Sequence, residues 1–124
     1  MINDGKNEIL DLSFKFAVRI VNLYKHLKKE KQEYVLSKQL LRSGTSIGAN
    51  ITEAQDAQSK KDFISKLSIS LKEAKETRYW ILLLIETEYL PRNSENVKSL
   101  QNELISIIKL LTSILISSLP SKIR

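Results

Sequence analysis

The sequence lacks cysteine altogether and contains few histidines, glycines and prolines. Among 124 residues there are no cysteines, one histidine, three glycines and two prolines. Without cysteine there is no disulfide framework, no thiolate nucleophile and no zinc or iron–sulfur site built on thiolates. A single histidine excludes a His pair for a metal, and so few turn-forming residues argue against an all-β protein.

The chain also shows no targeting signal that sequence rules recognise. Residues 1–7 lack the basic-then-apolar layout of a secretory signal peptide, so we expect a cytoplasmic protein. The most apolar segment, residues 104–119, is interrupted by Ser106, Lys109, Thr112 and Ser113. Because it falls short of the roughly 18 consecutive apolar residues of a membrane span, we expect no membrane partner.

Positive charge is in excess and evenly spread. Lys and Arg total 20 against 14 Asp and Glu, which gives a net charge of +6, and each half of the chain carries half of that excess. A folded body with this charge attracts polyanions, nucleic acid first and an acidic membrane second. The alternative is that the chain is one of many mildly basic proteins that bind nothing anionic.

Long segments free of glycine and proline predict helices. Apolar residues recur in them at spacings of three and four, the pattern of an amphipathic helix. The predicted fold is all-α, a single domain over residues 1–124 that forms an antiparallel up-down-up-down four-helix bundle. The helices are expected at about 8–29, 33–57, 60–89 and 94–119.

Several local features of these helices can be tested against the structure. The first helix is predicted to place Phe14 on its core line. Gly44 and Gly48 lie inside the second helix, where they predict close approach of a neighbouring helix. Ser59 is a candidate N-cap of the third helix, and Pro91 is expected to stop that helix.

The apolar faces of the helices are wider than a monomeric bundle requires. The third and fourth helices carry a second apolar flank, and the first shows a similar flank. Uncovered, these flanks would form a larger apolar patch than soluble monomers usually expose. The sequence therefore predicts a homo-oligomer.

The groups needed for catalysis are missing. His26 lies on a polar helix face beside lysines, with no partner for general-base work. Glu73 and Glu76 are three residues apart, but neither has the histidine that di-metal bundles use. Residues 44–48 resemble a phosphate loop in composition but follow no strand and lack the Gly-Lys-Ser ending. We therefore expect no enzyme activity, no metal and no cofactor.

Two polar groups are candidate binding residues. Arg42, Ser46, Asn50 and Glu53 share one face of the second helix, either as a recognition site or as a polar network that sets helix register and the oligomer interface. The second group is basic and has only two tyrosines nearby, which favours contact with a nucleic-acid backbone over base reading. The alternative for it is a solvated helix end. Its members are Lys25, Lys28, Lys29, Lys31, Lys38 and Arg42.

Two segments carry a resemblance to a known family. They are LLRSGTSIGANITEAQ at residues 40–55, and SKKDFISKLSI with LKEAKETRYW between residues 59 and 80. This pair resembles the bacterial four helix bundle proteins also called 23S rRNA intervening sequence proteins. The resemblance covers the second and third helices closely and the rest by length and layout.

The resemblance implies a homopentamer around a central channel. Some members of this family are encoded within intervening sequences of large-subunit rRNA genes. A related branch serves diversity-generating retroelements, where a basic pentamer binds nucleic acid and the reverse transcriptase. The resemblance assigns no catalytic residues, and it gives an architectural role to the residues that match its motifs, namely Arg42, Ser46, Asn50, Glu53, Glu73, Glu76 and Tyr79.

The leading hypothesis is a non-enzymatic homopentamer that binds structured RNA or RNA–DNA through basic surface residues. A reverse transcriptase is a further expected partner. The alternative is a protein-interaction scaffold with no nucleic-acid role.

Overall fold

The computed structural model describes residues 5–120, with side chains from Glu8 onward. This range contains four helices and no strand. Each helix packs against its neighbours in chain order and α4 returns to α1, whereas the diagonal pairs of these four helices make no contact. The predicted all-α four-helix arrangement is confirmed, with helices α1 Gly5–Lys29, α2 Leu36–Ala54, α3 Lys60–Glu86 and α4 Glu95–Ser117.

Burial of one apolar stripe from every helix forms the core. Phe14, predicted on the core line of α1, is 71% exposed, whereas Phe16 is fully buried. The reason lies in the neighbouring helix, because the buried face of α1 contains Ser13, which lies against Gly48 of α2. A close contact between small residues selects the face that carries the serine, and this turns Phe14 outward.

The two glycines of α2 allow α1 to approach closely, as predicted. A Cβ placed on Gly44 would lie 2.8 Å from Cγ2 and 2.9 Å from Cγ1 of Ile20, which is fully buried. At Gly48 the nearest atom would be the Ser13 Oγ at 3.3 Å. Two glycines lower the stability of α2 as a helix, and the close packing of α1 against α2 offsets that loss.

The start of α2 is determined by Glu33, and the predicted boundary at residue 33 is wrong. The Glu33 carboxylate accepts hydrogen bonds from the backbone N–H groups of Val35, Leu36 and Ser37, at 3.2, 3.0 and 2.7 Å. It therefore occupies the N-terminus of the helix as a cap instead of continuing as helix. Burial raises the pKa of Glu33, but the three backbone donors outweigh it, so that its pKa lies below the ordinary value.

This cap makes folding sensitive to acid. Its stabilisation is fully present above the ordinary carboxyl pKa and is lost as the pH falls through the lowered pKa of the folded state. We expect Glu33→Gln to lower the free energy of unfolding by about 1–2 kcal/mol at pH 7 and to flatten its decline in acid. Urea unfolding at several pH values measures both effects. Glu30→Gln, at an exposed neighbour, is the control, and a pH profile identical to wild type in Glu33→Gln would contradict the assigned cap.

The end of α3 is also set by local backbone geometry and not by proline. The helix ends at Glu86, before the predicted residue 89, and Glu88 adopts a left-handed conformation with φ 69°. The backbone N–H groups of Tyr89 and Leu90 then bond to the Leu84 carbonyl at 2.9 and 3.1 Å, which closes the helix. Pro91 lies beyond a turn that is already complete.

The remaining helix boundaries lie within three residues of the predicted ones, and the end of α1 at Lys29 and the start of α3 at Lys60 agree with the prediction. α2 ends at Ala54 because the next three backbone N–H groups bond three residues back, in a tightened turn. The predicted cap at Ser59 is confirmed, since its Oγ accepts from the Asp62 N–H at 3.1 Å. At the start of α4 the Ser94 Oγ accepts from the Val97 N–H at 3.4 Å. α4 ends at Ser117, two residues before the predicted boundary.

Among the described helices, α4 is long and apolar enough to cross a membrane by length and composition. A count of uninterrupted apolar residues understates the mean hydropathy of α4, because Ile and Leu fill most positions between its polar residues. In the bundle, one stripe of α4, including Leu104, Ile107 and Leu111, is buried against α1 and α3.

Candidate functional site

The chain folds so that five predicted lysines lie at one end of the bundle. The C-terminus of α1 and the N-terminus of α2 meet there, joined by a short loop. All five side chains are exposed, and none forms an ion pair with any residue in the described range. We call this surface the basic end, and it comprises Lys25, Lys28, Lys29, Lys31 and Lys38.

The two acidic residues that lie next to these lysines in sequence form no ion pair with them in the described part of the chain. Glu33 is buried and its charge faces the backbone N–H groups of α2, while Glu30 is exposed without an ion pair in the described part of the chain. Lys28 Nζ lies 5.2 Å from the centre of the Tyr24 ring, within cation–π range. The lysine ammonium groups are therefore available to an external anion.

Arg42, the sixth predicted nucleic-acid contact, has its charge already matched by α3. Its guanidinium donates to both oxygens of Glu73, at 3.0 and 3.2 Å, and to Glu76. Hydrogen bonds to Glu73 and then Glu76 raise the pKa of Arg42. The structure thus separates Arg42 from the lysines of the basic end and joins it to two residues of the second family motif.

Aromatic residues of α3 extend this ion pair. Trp80 Nε1 donates to Glu76 Oε2 at 3.1 Å, and the Tyr79 and Trp80 rings meet edge to face at 5.1 Å. The Trp80 hydrogen bond, more than the neighbouring Arg42, lowers the pKa of Glu76 although burial opposes it. We call this group the α2–α3 seam, formed by Arg42, Glu73, Glu76, Tyr79 and Trp80.

The rest of the α2 motif lies along the same border with α3. Ser46 and Asn50 bond back to their own helix, at the Arg42 and Ser46 carbonyls, and Glu53 pairs with Lys66 of α3 at 3.1 Å. Cross-helix bonds are therefore made at both ends of the motif, and its middle residues make none in the described range. This geometry fits a polar network that sets the register between α2 and α3.

Hydroxyl groups reinforce that register inside the bundle. The Ser70 Oγ donates to the Ile47 carbonyl at 2.8 Å, and the Thr77 Oγ1 lies 2.9 Å from the Ser43 Oγ. All four of these residues are buried. A slip of one helix along the other would break these bonds and leave buried polar groups without partners, which is costly.

Sequence reasoning missed Trp80 and Arg19 as members of polar clusters. The apolar pattern puts Trp80 on the far side of the third helix, and nothing in its local sequence indicates the Glu76 bond except their spacing of four residues. The same pattern puts Arg19 on the polar face of the first helix. Its guanidinium bonds to Ser99 Oγ, Glu103 Oε2 and the Asn96 carbonyl of α4, partners that are about 80 residues away in sequence.

No group of three or more possible metal-ligating acidic or histidine side chains occurs in residues 8–120. A cavity of about 670 Å³ lies at the end of the bundle opposite the lysines, between the C-terminus of α2, the N-terminus of α3 and the C-terminal part of α4. Lys60 is the one charged side chain that lines it among the described residues. A second cavity, of about 450 Å³, lies between α1 and the start of α4, next to the basic end.

The fold and the spacing of its paired polar residues define an all-α bundle protein with a basic end. Residues 5–113 match the 23S rRNA-intervening sequence protein family, and the chain belongs to that family. A crystal structure of a protein of unknown function from Bacteroides thetaiotaomicron VPI-5482, from the S23 ribosomal protein family, is similar. It is 59% identical, with a TM-score of 0.87 over 90% of this chain and 98% of that chain. No curated protein matches.

Proposed function

We propose that this chain is a cytoplasmic, non-enzymatic protein that assembles as a homopentamer and binds structured RNA or RNA–DNA through its basic end. The observation that carries the proposal is the group of five exposed lysines without ion pairs in the described residues. Ammonium groups in this state exchange their counterions for phosphates at little desolvation cost.

Exposed apolar side chains support the assembly. Phe14 and Val18 lie one turn apart on α1, and Tyr79 and Leu82 lie one turn apart on α3. These two patches belong to helices that do not touch each other within the described bundle. Two different patches on separate helices suit a head-to-tail contact, which forms a ring when the rotation between neighbouring chains divides a full turn.

A ring multiplies the electrostatic effect of each protomer. Five chains of charge +6 carry about +30, enough for long-range attraction and for several phosphate contacts at once. Each protomer contributes one basic end. A folded RNA therefore meets a repeated array of lysines and not a single patch.

The basic end can be tested by charge reversal. Lys28→Glu with Lys29→Glu is expected to weaken binding of a fluorescent RNA hairpin by tenfold or more, because attraction between lysine and phosphate becomes repulsion. The slope of log affinity against log salt should fall by about one for each phosphate that the variant no longer neutralises. Fluorescence anisotropy at several salt concentrations measures both quantities.

A matched control lies at the opposite end of the bundle. Lys60→Glu with Lys61→Glu makes the same change in net charge at two exposed positions. This control should retain most of the affinity and the salt slope. Equal losses of affinity in the two double variants, or an unchanged slope in the first, would contradict the assignment of the basic end.

A protein-interaction scaffold is the second candidate. Val35 is 70% exposed and Tyr34 53% exposed in the loop between α1 and α2, close in sequence to the lysines. Apolar groups among cations suit an acidic protein surface, such as one on a reverse transcriptase. Under this candidate a partner would stay bound after nuclease treatment, whereas the leading proposal predicts its release.

A further inference from the structure

The cavity next to the basic end has the composition of a small-molecule site. It lies between α1 and the N-terminal part of α4, and its volume of about 450 Å³ is in the range of sites that hold drug-sized molecules. Apolar side chains form much of its wall, and a few polar groups converge on it. Those used below are Leu23, Leu90, Leu100, Arg19, Asn22 and His26.

Arg19 contributes a fixed flat surface to this cavity. Its Nη1 donates to Ser99 Oγ at 3.0 Å and to Glu103 Oε2 at 2.6 Å, and its Nη2 donates to the Asn96 carbonyl at 3.1 Å. These bonds engage the edge of the guanidinium and hold it against α4. The Arg19 side chain lines the cavity and is 30% exposed, and a guanidinium face is a surface on which an unstacked base can lie.

Two further side chains offer hydrogen bonds that the protein does not use. Asn22 and His26 are exposed, line the cavity and form no side-chain hydrogen bond with another described residue. An amide and an imidazole each combine donor and acceptor capacity, which matches the edge of a nucleobase.

The cavity and the basic end share one helix face. Lys25 and Lys29 follow Asn22 at spacings of three and seven on α1, so the three side chains lie on one side of that helix. A strand whose phosphates contact these lysines passes the mouth of the cavity. The cavity occupant is then the base attached to that backbone.

We infer that the α1–α4 cavity receives one unstacked base of a bound single strand, loop or bulge. The base lies on the Arg19 guanidinium and against Leu23, Leu90 and Leu100, with its edge toward Asn22 and His26. This inference rests on the proposed function and adds to it a preference for unpaired nucleotides. A nucleobase suits the cavity because it combines apolar faces with a polar edge, and the adjoining lysines bind its phosphates.

One experiment tests the cavity without any RNA. His26 is the only histidine in the sequence, so selective ¹³C labelling of histidine gives one ring signal that needs no assignment. Adding adenosine monophosphate should shift that signal in a saturable way, because a base in the cavity brings its ring current to the imidazole. The Asn22→Ala variant should weaken this binding several-fold. No shift at millimolar nucleotide would overturn the inference.

A second experiment measures the preference for unpaired bases. An RNA with a 2-aminopurine in a bulge should bind wild-type protein about tenfold more tightly than the fully paired duplex of the same length, given the worth of stacking one base. The bulge fluorescence should change on binding. Asn22→Ala with His26→Ala should remove the preference and leave duplex binding unchanged. Arg19→Lys, which keeps the charge but not the flat group, should also reduce the preference for the bulge.

The outcomes separate this inference from the function on which it rests. RNA binding that is equal for bulge and duplex, with no change in fluorescence, would overturn the cavity assignment and leave the basic end intact. Absence of all RNA binding would overturn the proposed function. Weak binding of every RNA by Lys25→Ala with Lys29→Ala, with the bulge preference retained, supports the division between phosphate and base contacts.

Discussion

Phe14→Glu is expected to convert the proposed pentamer into single chains. Phe14 is 71% exposed, and Val18, one turn away, is 46% exposed, so that α1 presents an apolar stripe to the exterior of the bundle. A carboxylate at the centre of a contact between chains would be desolvated without a partner, which is strongly unfavourable. Light scattering should give a mass near 14.2 kDa for the variant, in place of about 71 kDa for five chains.

A control on the same helix separates this effect from a change of charge or folding. Lys15→Gln makes the same change in net charge next to Phe14, at a side chain that is 71% exposed. It should keep the mass of the assembly. Circular dichroism should show a helical protein for both variants, because Phe14 adds nothing to the core. A Phe14→Glu protein with the wild-type mass would exclude the α1 stripe from the interface.

Mixing variants tests whether the contact is head to tail. Phe14→Glu removes the α1 patch, and Tyr79→Glu with Leu82→Glu removes the α3 patch. In a head-to-tail contact, the intact α1 patch of the second variant can bind the intact α3 patch of the first, and the mixture should form heterodimers. In a two-fold symmetric contact each patch would bind its own copy, and mixing would restore nothing. A mixture that stays monomeric would contradict the ring.

How far the fold could be predicted from sequence depends on the range of the interactions. Helix number, order and family follow from spacing and motifs, which are local. The choice between Phe14 and Phe16 as the core residue depends on which face of α1 meets the glycines of α2. By composition alone, either face is apolar enough to be the buried one. The cap formed by Glu33 is local too, but a glutamate that bonds forward to a helix start differs little in sequence from one inside the helix.

The candidate site shows the same division. Exposure of the five lysines follows from a polar helix end, and the structure keeps them together. The pairing of Arg42 with Glu73 and Glu76 depends on the register between two helices, as does the placement of Arg19 on α4. A single sequence contains no direct signal for such long-range pairs. The family motifs single out Arg42, Glu73 and Glu76, but they do not indicate that these three side chains are in contact.

The contacts between helices hold the bundle in register, and they leave the lysines of the basic end free of that structural role. The α2–α3 seam and the buried hydroxyl bonds hold two helices in register, which fixes where the α1–α2 loop and its lysines lie. The Arg19 contacts fix α1 against the start of α4 on the other side of the same end. A rigid end built in this way can present lysines at a constant spacing, which is what recognition of a folded RNA by its backbone requires.

Gly44→Val is expected to cause a large loss of stability. Even a Cβ at this position would lie 2.8 Å from Ile20, a β-branched side chain that is fully buried and has little rotamer freedom. The overpacking should lower the free energy of unfolding by about 3 kcal/mol. Urea unfolding at one fixed protein concentration measures it, because the stability of an oligomer depends on concentration.

Gly48→Ala, one turn further along the same helix, is expected not to lower the free energy of unfolding. Its Cβ would meet the Ser13 Oγ at 3.3 Å, a contact that a small shift of the hydroxyl relieves. Replacing glycine by alanine inside a helix contributes up to about 1 kcal/mol, so this variant should be neutral or more stable. If both variants lose several kcal/mol, the prediction that the Ser13 contact can accommodate an alanine Cβ at residue 48 is wrong. If neither loses stability, α1 and α2 are not in close contact at these positions.

A double variant identifies Ile20 as the residue that Gly44 accommodates. Ile20→Ala alone should cost about 2–5 kcal/mol through the cavity it leaves. In the Gly44→Val background the same truncation makes room for the added methyl groups, so the double variant should be more stable than the sum of the single losses predicts. Additive losses would mean that the valine clashes elsewhere, since two residues that compete for one space must show coupling.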